Sequence, residues 1–174
     1  EEVVKLFDWL IRLINMYTIE RLGDIIGHVY EDLIPADERH QLGQFYTHKS
    51  IADLIVKWAI RNQDDKVLDP GCGSGTFLIE AYKRLFELKT RQPFDKAEYI
   101  SEFVHEQILS QLFGIDINEF ATHLTSINLA MINPKVPSKI MQIIREDFFN
   151  VMPGQHRLTP YIVMTPGGGK PLEI

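Results

Sequence analysis

The chain has 174 residues, 45% of them hydrophobic, with 18 lysines and arginines against 24 aspartates and glutamates. This length suits one well-packed domain, and no run of about 18 apolar residues predicts a membrane span. The net charge of -6 excludes a strongly basic nucleic-acid binder, and the single cysteine excludes an internal disulfide bond. The first residues lack the features of a signal peptide, so we expect a cytoplasmic protein.

Residues 1–60 are predicted to form a helical segment. Apolar residues recur with a period near 3.6 over residues 3–17 and again over residues 25–34. A third helix is expected to begin near Thr47 or Ser50, either of which could cap it, and His48 between them is a further candidate for the cap. The apolar residues of this third helix that we expect to face inward are Ile51, Leu54, Ile55, Trp58 and Ala59.

From residue 61 onward, strand and helix patterns alternate, which predicts a parallel sheet with helical crossovers. The predicted strands cover residues 67–69, 112–116, 140–144 and 161–164, and the predicted helices cover residues 76–88, 98–110 and 118–132. The chain is therefore expected to have two parts, a helical segment over residues 1–60 and an α/β domain over residues 61–174.

A glycine-rich run lies between the first predicted strand and the helix that follows it. From Asp69 to Phe77 it reads Asp-Pro-Gly-Cys-Gly-Ser-Gly-Thr-Phe. Glycines at alternate positions allow a sharp turn and leave backbone N–H groups uncovered. The helix start that follows carries partial positive charge and free donors. The run therefore predicts a pocket for a ligand that has a carboxylate or phosphate at one end.

Each of the first three predicted strands is followed by, or ends on, an aspartate: Asp69, Asp116 and Asp147. The carboxyl ends of parallel strands meet at one edge of a sheet, where open α/β folds bind ligands. Asp116 could accept hydrogen bonds from two ribose hydroxyls, while Asp147 could accept one from an exocyclic amine, with Phe148 stacked on a purine. One such aspartate is more often a cap or turn residue, but three in series favour a nucleoside ligand.

The sequence resembles the N6-adenine DNA methyltransferases, in the group that includes type I modification subunits and fused restriction–modification enzymes. The resemblance lies in the glycine-rich run, in Gly-Gln-Phe-Tyr-Thr at residues 43–47 and in Gly-Ile-Asp-Ile-Asn at residues 114–118. It covers about residues 24–149, with His48 in place of the family's proline. It implies a Rossmann-like methyltransferase fold, with an incomplete parallel sheet and an N-terminal helical segment.

The resemblance also implies S-adenosyl-L-methionine as the cofactor. The glycine-rich run would approach the methionine part, Asp69 would reach its ammonium, and residues 44–47 would cover that end from the other side. Asp116 would hold the ribose, and the residues after the second and third strands would contact the adenine. The implied cofactor-binding residues are Gln44, Phe45, Tyr46, Thr47, Asp69, Gly71, Gly73, Ser74, Gly75, Thr76, Asp116, Ile117, Asp147 and Phe148.

The catalytic signature of the resembled family is not found in this sequence. That signature is Asn/Asp-Pro-Pro-Tyr/Phe after the fourth strand, where it orients the target amino group and stacks on the flipped base. The corresponding residues here are Thr165, Pro166, Gly167 and Gly168. We therefore predict no catalytic residue and no methyl transfer by this chain alone, whether it is a piece of a longer enzyme or a degenerate remnant. DNA, and specificity or restriction subunits, would be contacted mostly through regions outside this chain.

Other interpretations stay open at this point. RNA and protein-glutamine methyltransferases share the implied fold, and a non-catalytic assembly subunit would bind the cofactor without turnover. A nicotinamide dehydrogenase is disfavoured, because it needs G-x-G-x-x-G and an acidic residue about 20 positions further on. The six histidines show no ligand pair, so no metal site is predicted. Cys72 is interpreted as a small buried residue rather than a reactive thiol.

Overall fold

The computed structural model describes residues 47–136 and 141–151, and its helices and strands are numbered here within those residues. In chain order they are α1 (Lys49–Ala59), β1 (Val67–Asp69), α2 (Thr76–Thr90), α3 (Glu102–Leu109), β2 (Leu112–Asp116), α4 (Glu119–Met131) and β3 (Gln142–Arg145), with short 3-10 helices at Phe94–Lys96 and Phe148–Asn150. The predicted alternation of strands and helices is confirmed over these residues. The predicted helices at residues 3–17 and 25–34 and the predicted strand at residues 161–164 lie outside the described part.

The three strands form a parallel sheet in the order β1–β2–β3. Val67 lies opposite Leu112, and Asp116 lies opposite Arg145. Helices α2 and α3 connect β1 to β2, and α4 connects β2 to β3. All three carboxyl ends therefore lie at one edge, as the sequence predicted. Strand β1 stops at Asp69, because the next residue is Pro70, which has no N–H group to donate to a ladder.

Helix α2 is the central helix of the described domain. Its fully buried residues Leu78, Tyr82 and Leu85 recur at helical spacing. The helix packs against α1, α3, α4 and the first two strands. The Tyr82 hydroxyl and Nδ1 of His105 on α3 lie 2.7 Å apart in the core, so the buried hydroxyl has a polar partner. No helix in the described ranges is long and apolar enough to cross a bilayer.

The prediction of the buried face of α1 is wrong. Ile51, Leu54, Ile55 and Trp58 are between 44% and 73% exposed, and Ala59 is exposed as well. Helix α1 instead turns Ala52 and Val56 inward, and α2 is the element it packs against most extensively. The helix therefore carries two apolar stripes, and the one with Ala52 and Val56 is buried. The division of the chain at residue 60 stays a prediction.

The structure decides among the residues that the sequence offered as the N-terminal cap of α1. His48, rather than Thr47 or Ser50, is the N-cap residue, and its Nδ1 accepts a hydrogen bond from the Ser50 N–H at 3.3 Å. The Ser50 hydroxyl lies 2.9 Å from the same nitrogen. Histidine is not among the residues usually favoured at this position, so cap statistics favoured its hydroxyl neighbours.

Gly114 in the middle of β2 is required by close packing. A Cβ at this position would stand 2.8 Å from Cδ1 of Ile143, 2.9 Å from Cδ1 of Leu78 and 3.2 Å from Sγ of Cys72. All three neighbours are buried, at most 4% exposed. Gly71 is the opposite case, since no described residue lies within 4 Å of its Cβ position and its φ is not positive.

We expect Gly114→Ala to lower the free energy of unfolding by about 1–3 kcal/mol, because the added methyl group overpacks a core without spare space. Urea denaturation monitored by circular dichroism measures the change. Gly71→Ala is the matched control and is expected to unfold like the unchanged protein. Equal stability of the two variants would contradict the packing argument.

Candidate functional site

The loop that joins β1 to α2, residues 70–75, is called the glycine loop below. The Cys72 N–H donates to the Ile115 carbonyl oxygen at 2.9 Å, which ties the loop to β2. The Gly75 N–H donates to the Cys72 carbonyl oxygen at 2.7 Å and closes a tight turn. Gly73 and Gly75 have φ values of 52° and 91°, where residues with a Cβ are strained. The sharp strand-to-helix turn predicted from the glycine spacing is confirmed.

The first turn of α2 has no side-chain cap. Its N-cap residue is Gly75, and no side-chain hydrogen bond is made at that position. Thr76 is the first residue of the helix, which is 15 residues long. Its unpaired N–H groups and the positive end of its dipole therefore favour an anionic group beside the glycine loop.

Asp116 at the end of β2 is held by two backbone donors. The Gly73 N–H donates to Oδ2 at 2.8 Å, and the Asn118 N–H donates to Oδ1 at 2.8 Å. The carboxylate thus joins the glycine loop to the end of the second strand in a fixed orientation. Each carboxylate oxygen has a further lone pair, so both can still accept from ligand hydroxyls.

Asp69 at the end of β1 is half-buried, and its Oδ1 accepts from the Gly71 N–H at 3.2 Å. Burial raises the pKa of Asp69 above its ordinary value; the Gly71 hydrogen bond opposes this rise, and the negative charge of Asp116 adds to it. The carboxyl group is therefore held in an environment that disfavours its charge. A positively charged ligand group at this edge would reverse that effect.

The end of β3 is joined to the same edge. The Glu146 N–H donates to the Asp116 carbonyl oxygen at 3.0 Å. Asp147 then caps the short helix Phe148–Asn150 by accepting from the Phe149 N–H at 3.0 Å. Phe148 is 40% exposed and packs edge-on against Phe149, with ring centroids 5.9 Å apart. The aromatic residue predicted to contact a purine is thus accessible beside the strand ends.

The structure brings most of the predicted site residues to one edge of the sheet. The glycine loop, Asp69 and Asp116 are joined directly by hydrogen bonds, and Asp147 follows through the Glu146 contact. Ile117, directly after β2, is 66% exposed. Their roles toward a ligand stay predictions.

The segment before α1 is described only from Thr47 onward. Thr47 is half-buried and lies two residues before Lys49, whose ammonium is 4.0 Å from the Glu80 carboxylate on α2. The start of α1 therefore lies beside the early turns of α2. Gln44, Phe45 and Tyr46, and the degenerate catalytic position Thr165 and Pro166, lie outside the described residues.

Cys72 is part of the hydrophobic core, with 4% of its surface exposed. Burial raises the pKa of its thiol to about 12, and the Thr125 hydroxyl, 3.7 Å from Sγ, opposes that rise only in part. The thiol is therefore protonated at neutral pH and is not a nucleophile. The interpretation of Cys72 as a small buried residue is confirmed. In the described ranges, no group of three or more histidine, cysteine, aspartate or glutamate residues could hold a metal ion.

Two buried polar residues of α4 contact the glycine loop and were missed in the sequence. The Thr125 hydroxyl donates to the Gly73 carbonyl oxygen at 2.7 Å, and Nδ2 of Asn128 donates to the Ser74 carbonyl oxygen at 2.9 Å. Thr125 is 0% and Asn128 is 4% exposed. The available signal was their spacing of three positions, which places both on one side of α4.

Comparison with known proteins gives consistent matches. Residues 21–164 match the sequence model of the N-6 DNA Methylase family. The chain is 29% identical over 134 residues to the methylase subunit of the type I restriction enzyme MjaVII of Methanocaldococcus jannaschii, with 75% of this chain and 20% of that protein covered. It is 36% identical over 131 residues to DNA methyltransferase A of Bacillus subtilis, with 61% and 15% covered.

A solved structure shows the same fold. It is a modification subunit from Vibrio vulnificus YJ016, with a TM-score of 0.50 and 21% sequence identity, and the match covers 76% of this chain and 25% of that one. The chain thus spans a quarter or less of the length of these proteins. The fold is the expected Rossmann-like methyltransferase fold with an incomplete parallel sheet. Since the family match includes the glycine loop and all three strand ends, the chain belongs to the N-6 DNA methylase family.

Proposed function

We propose that this chain binds S-adenosyl-L-methionine at the carboxyl edge of its sheet, as the cofactor-binding part of an adenine N6 DNA methyltransferase of a restriction–modification system. One observation carries the proposal. Asp116, at the end of the second strand, is oriented by the Gly73 and Asn118 N–H groups and keeps lone pairs for two ribose hydroxyls. The names of the relatives, a restriction-enzyme methylase subunit and a DNA methyltransferase, favour DNA over RNA or protein glutamine as the substrate.

The charges at this edge suit both ends of that cofactor. Its sulfonium and ammonium groups are positive, and Asp116 is near enough to Asp69 for its negative charge to raise the pKa of Asp69. Its carboxylate would lie at the uncapped start of α2. The bound cofactor would supply the methyl group, and this chain's residues would bind and orient it.

Gly71 gives an independent reason to expect a ligand against the glycine loop. Its φ does not require glycine, and within residues 47–136 and 141–151 its Cβ position has no neighbour closer than 4 Å. Neither strain nor packing explains glycine there, in contrast to Gly73, Gly75 and Gly114. Close approach of a ligand to the backbone does explain it.

Further statements about the whole protein belong to the same proposal. DNA, specificity subunits and restriction subunits are its proposed partners, contacted through regions that lie mostly outside this chain. A cytoplasmic location fits these partners.

Titration calorimetry is expected to show S-adenosylmethionine binding that Gly71→Ala and Asp116→Asn each weaken about tenfold or more. The first variant places a methyl group where the ligand would lie, and the second removes a charged acceptor. The matched control is Asp95→Asn, which neutralises an exposed carboxylate on the 3-10 helix Phe94–Lys96. Binding of a nicotinamide dinucleotide instead, or equal affinities for all variants, would contradict the proposal.

Asp69→Asn is expected to weaken cofactor binding while it increases the free energy of unfolding at neutral pH. The folded-state pKa of Asp69 is raised, so its protonated form favours folding, and that contribution is lost as the pH rises through the folded pKa. The amide keeps an oxygen for the Gly71 N–H. Urea denaturation at neutral pH and near pH 4 measures the gain, which should shrink toward the lower pH. A stability loss at neutral pH would contradict this assignment.

We expect no methyl transfer by the chain alone, because the sequence reads Thr165, Pro166 and Gly167 where the family's catalytic tetrad would stand. The measurement is incorporation of tritiated methyl groups from S-adenosylmethionine into mixed DNA of many sequences. Gly71→Ala supplies the background level. Incorporation above that background would show that residues elsewhere in this chain perform the transfer.

A further inference from the structure

Helix α4 supports the glycine loop with two buried side chains. Thr125 and Asn128 donate to the Gly73 and Ser74 carbonyl oxygens at 2.7 and 2.9 Å. Thr125 also places its hydroxyl 3.7 Å from Sγ of Cys72. Its Oγ1 and Cγ2 would both lie 3.1 Å from a Cβ at Gly75, so the side chain is packed directly against the end of the loop.

These two bonds fix the directions of consecutive peptide groups. No peptide bond in the described residues is cis, so the C=O and N–H of each peptide group point in opposite directions. The Gly73 C=O points toward Thr125, and the Ser74 N–H of the same peptide therefore points away from α4. Holding Gly73 C=O in this way sets the direction of that donor.

The Ser74 N–H is the donor of the loop that remains for a ligand. The Gly73 N–H is bonded to Asp116 and the Gly75 N–H to the Cys72 carbonyl oxygen. Within the described ranges, no protein acceptor is paired with the Ser74 N–H, although Ser74 is only 6% exposed. Buried N–H groups are nearly always paired in folded proteins. An acceptor on a bound ligand would supply the missing partner.

Asn128 has a second feature that fits a positioning role. Its Oδ1 is buried and has no hydrogen-bond partner in the described part of the chain. An unpaired buried acceptor lowers stability, so a well-packed apolar residue would suit the core better. The bond from Nδ2 to the loop gives a reason for an asparagine at this place.

The same helix also reaches the ribose side of the site. Asn118 is the N-cap of α4, and its N–H donates to Oδ1 of Asp116. Helix α4 is thus tied at its start to the end of β2 and along its length to the glycine loop. The contact of Asn118 concerns Asp116 and the proposed ribose, whereas the contacts of Thr125 and Asn128 concern the glycine loop and the proposed methionine part.

We propose that Thr125 and Asn128 are positioning residues that hold the glycine loop with its Ser74 N–H directed at the methionine part of S-adenosylmethionine. This inference rests on the proposed function. It goes beyond it by assigning the shape of the loop to two residues that do not touch the ligand. It also separates the methionine part of the site, which depends on these residues, from the adenosine part, which depends on Asp116.

The test compares two ligands on the full 174-residue chain. S-adenosylmethionine has the methionine part, and 5′-methylthioadenosine lacks its amino acid portion. Thr125→Val keeps the side-chain shape but removes the hydroxyl, and we expect about tenfold weaker binding of S-adenosylmethionine. The affinity for 5′-methylthioadenosine should change less than about twofold, because the adenosine contacts are unaltered.

The controls separate positioning from general stability. Thr125→Ser restores the hydroxyl and should bind both ligands nearly as the unchanged protein does. Thr122→Val is the matched control, because Thr122 is equally buried on α4 but donates to the Glu119 carbonyl oxygen of its own helix at 2.7 Å. Asn128→Leu fills the same space without a donor, and should repeat the selective loss even if Thr125→Val folds poorly.

The outcomes are distinct. Unchanged S-adenosylmethionine binding by Thr125→Val and Asn128→Leu, or equal losses for the two ligands, would overturn this inference while the proposed function stands. An equal effect of Thr122→Val would do the same. If the unchanged protein binds neither ligand, the proposed function fails, and this inference fails with it.

Discussion

The carboxylate of Asp116 is the contact on which the arrangement of the site depends. It accepts one hydrogen bond from the glycine loop, 43 positions earlier in the chain, and one from the start of α4 directly after β2, so the loop, the strand end and the helix start meet at one side chain. The neighbouring bond from the Cys72 N–H to the Ile115 carbonyl oxygen adds a backbone link between the same loop and strand. The loop is therefore positioned by the sheet itself, and the candidate site cannot be separated from the fold that carries it.

This arrangement brings negative charges together in a partly buried place. Burial and the Asp116 charge raise the pKa of Asp69, so the ionised side chain opposes folding at neutral pH. Without a cationic ligand beside them, the two carboxylates only repel each other. A sulfonium and an ammonium at the same edge would attract both carboxylates and offset their mutual repulsion. The charges that lower the stability of the free protein are therefore those that would favour binding.

The parts of the fold set by local chemistry could be predicted from the sequence. Pro70 ends β1, the glycines set the turn, and parallel topology brings Asp69, Asp116 and Asp147 to one edge whatever the details of packing. The inward face of α1 could not be predicted, because two apolar stripes compete and only the contact with α2 decides between them. Thr125 and Asn128 were missed for a related reason. Periodicity shows which residues share a helix face, but their hydrogen-bond partners lie more than 50 positions away.

Glycine is required at different positions of this domain for different physical reasons. Gly73 and Gly75 are set by positive φ, and Gly114 is set by the close approach of Leu78 and Ile143. Neither constraint applies to Gly71 among the described residues, and the proposed ligand against the loop supplies a reason for glycine there. Asp116 therefore serves both halves of the proposed site, because it would hold the ribose and it also holds the Gly73 N–H of the loop. Thr125 and Asn128 hold only two carbonyl oxygens of the loop, so their loss is expected to affect the methionine part and to leave the contacts of Asp116 in place.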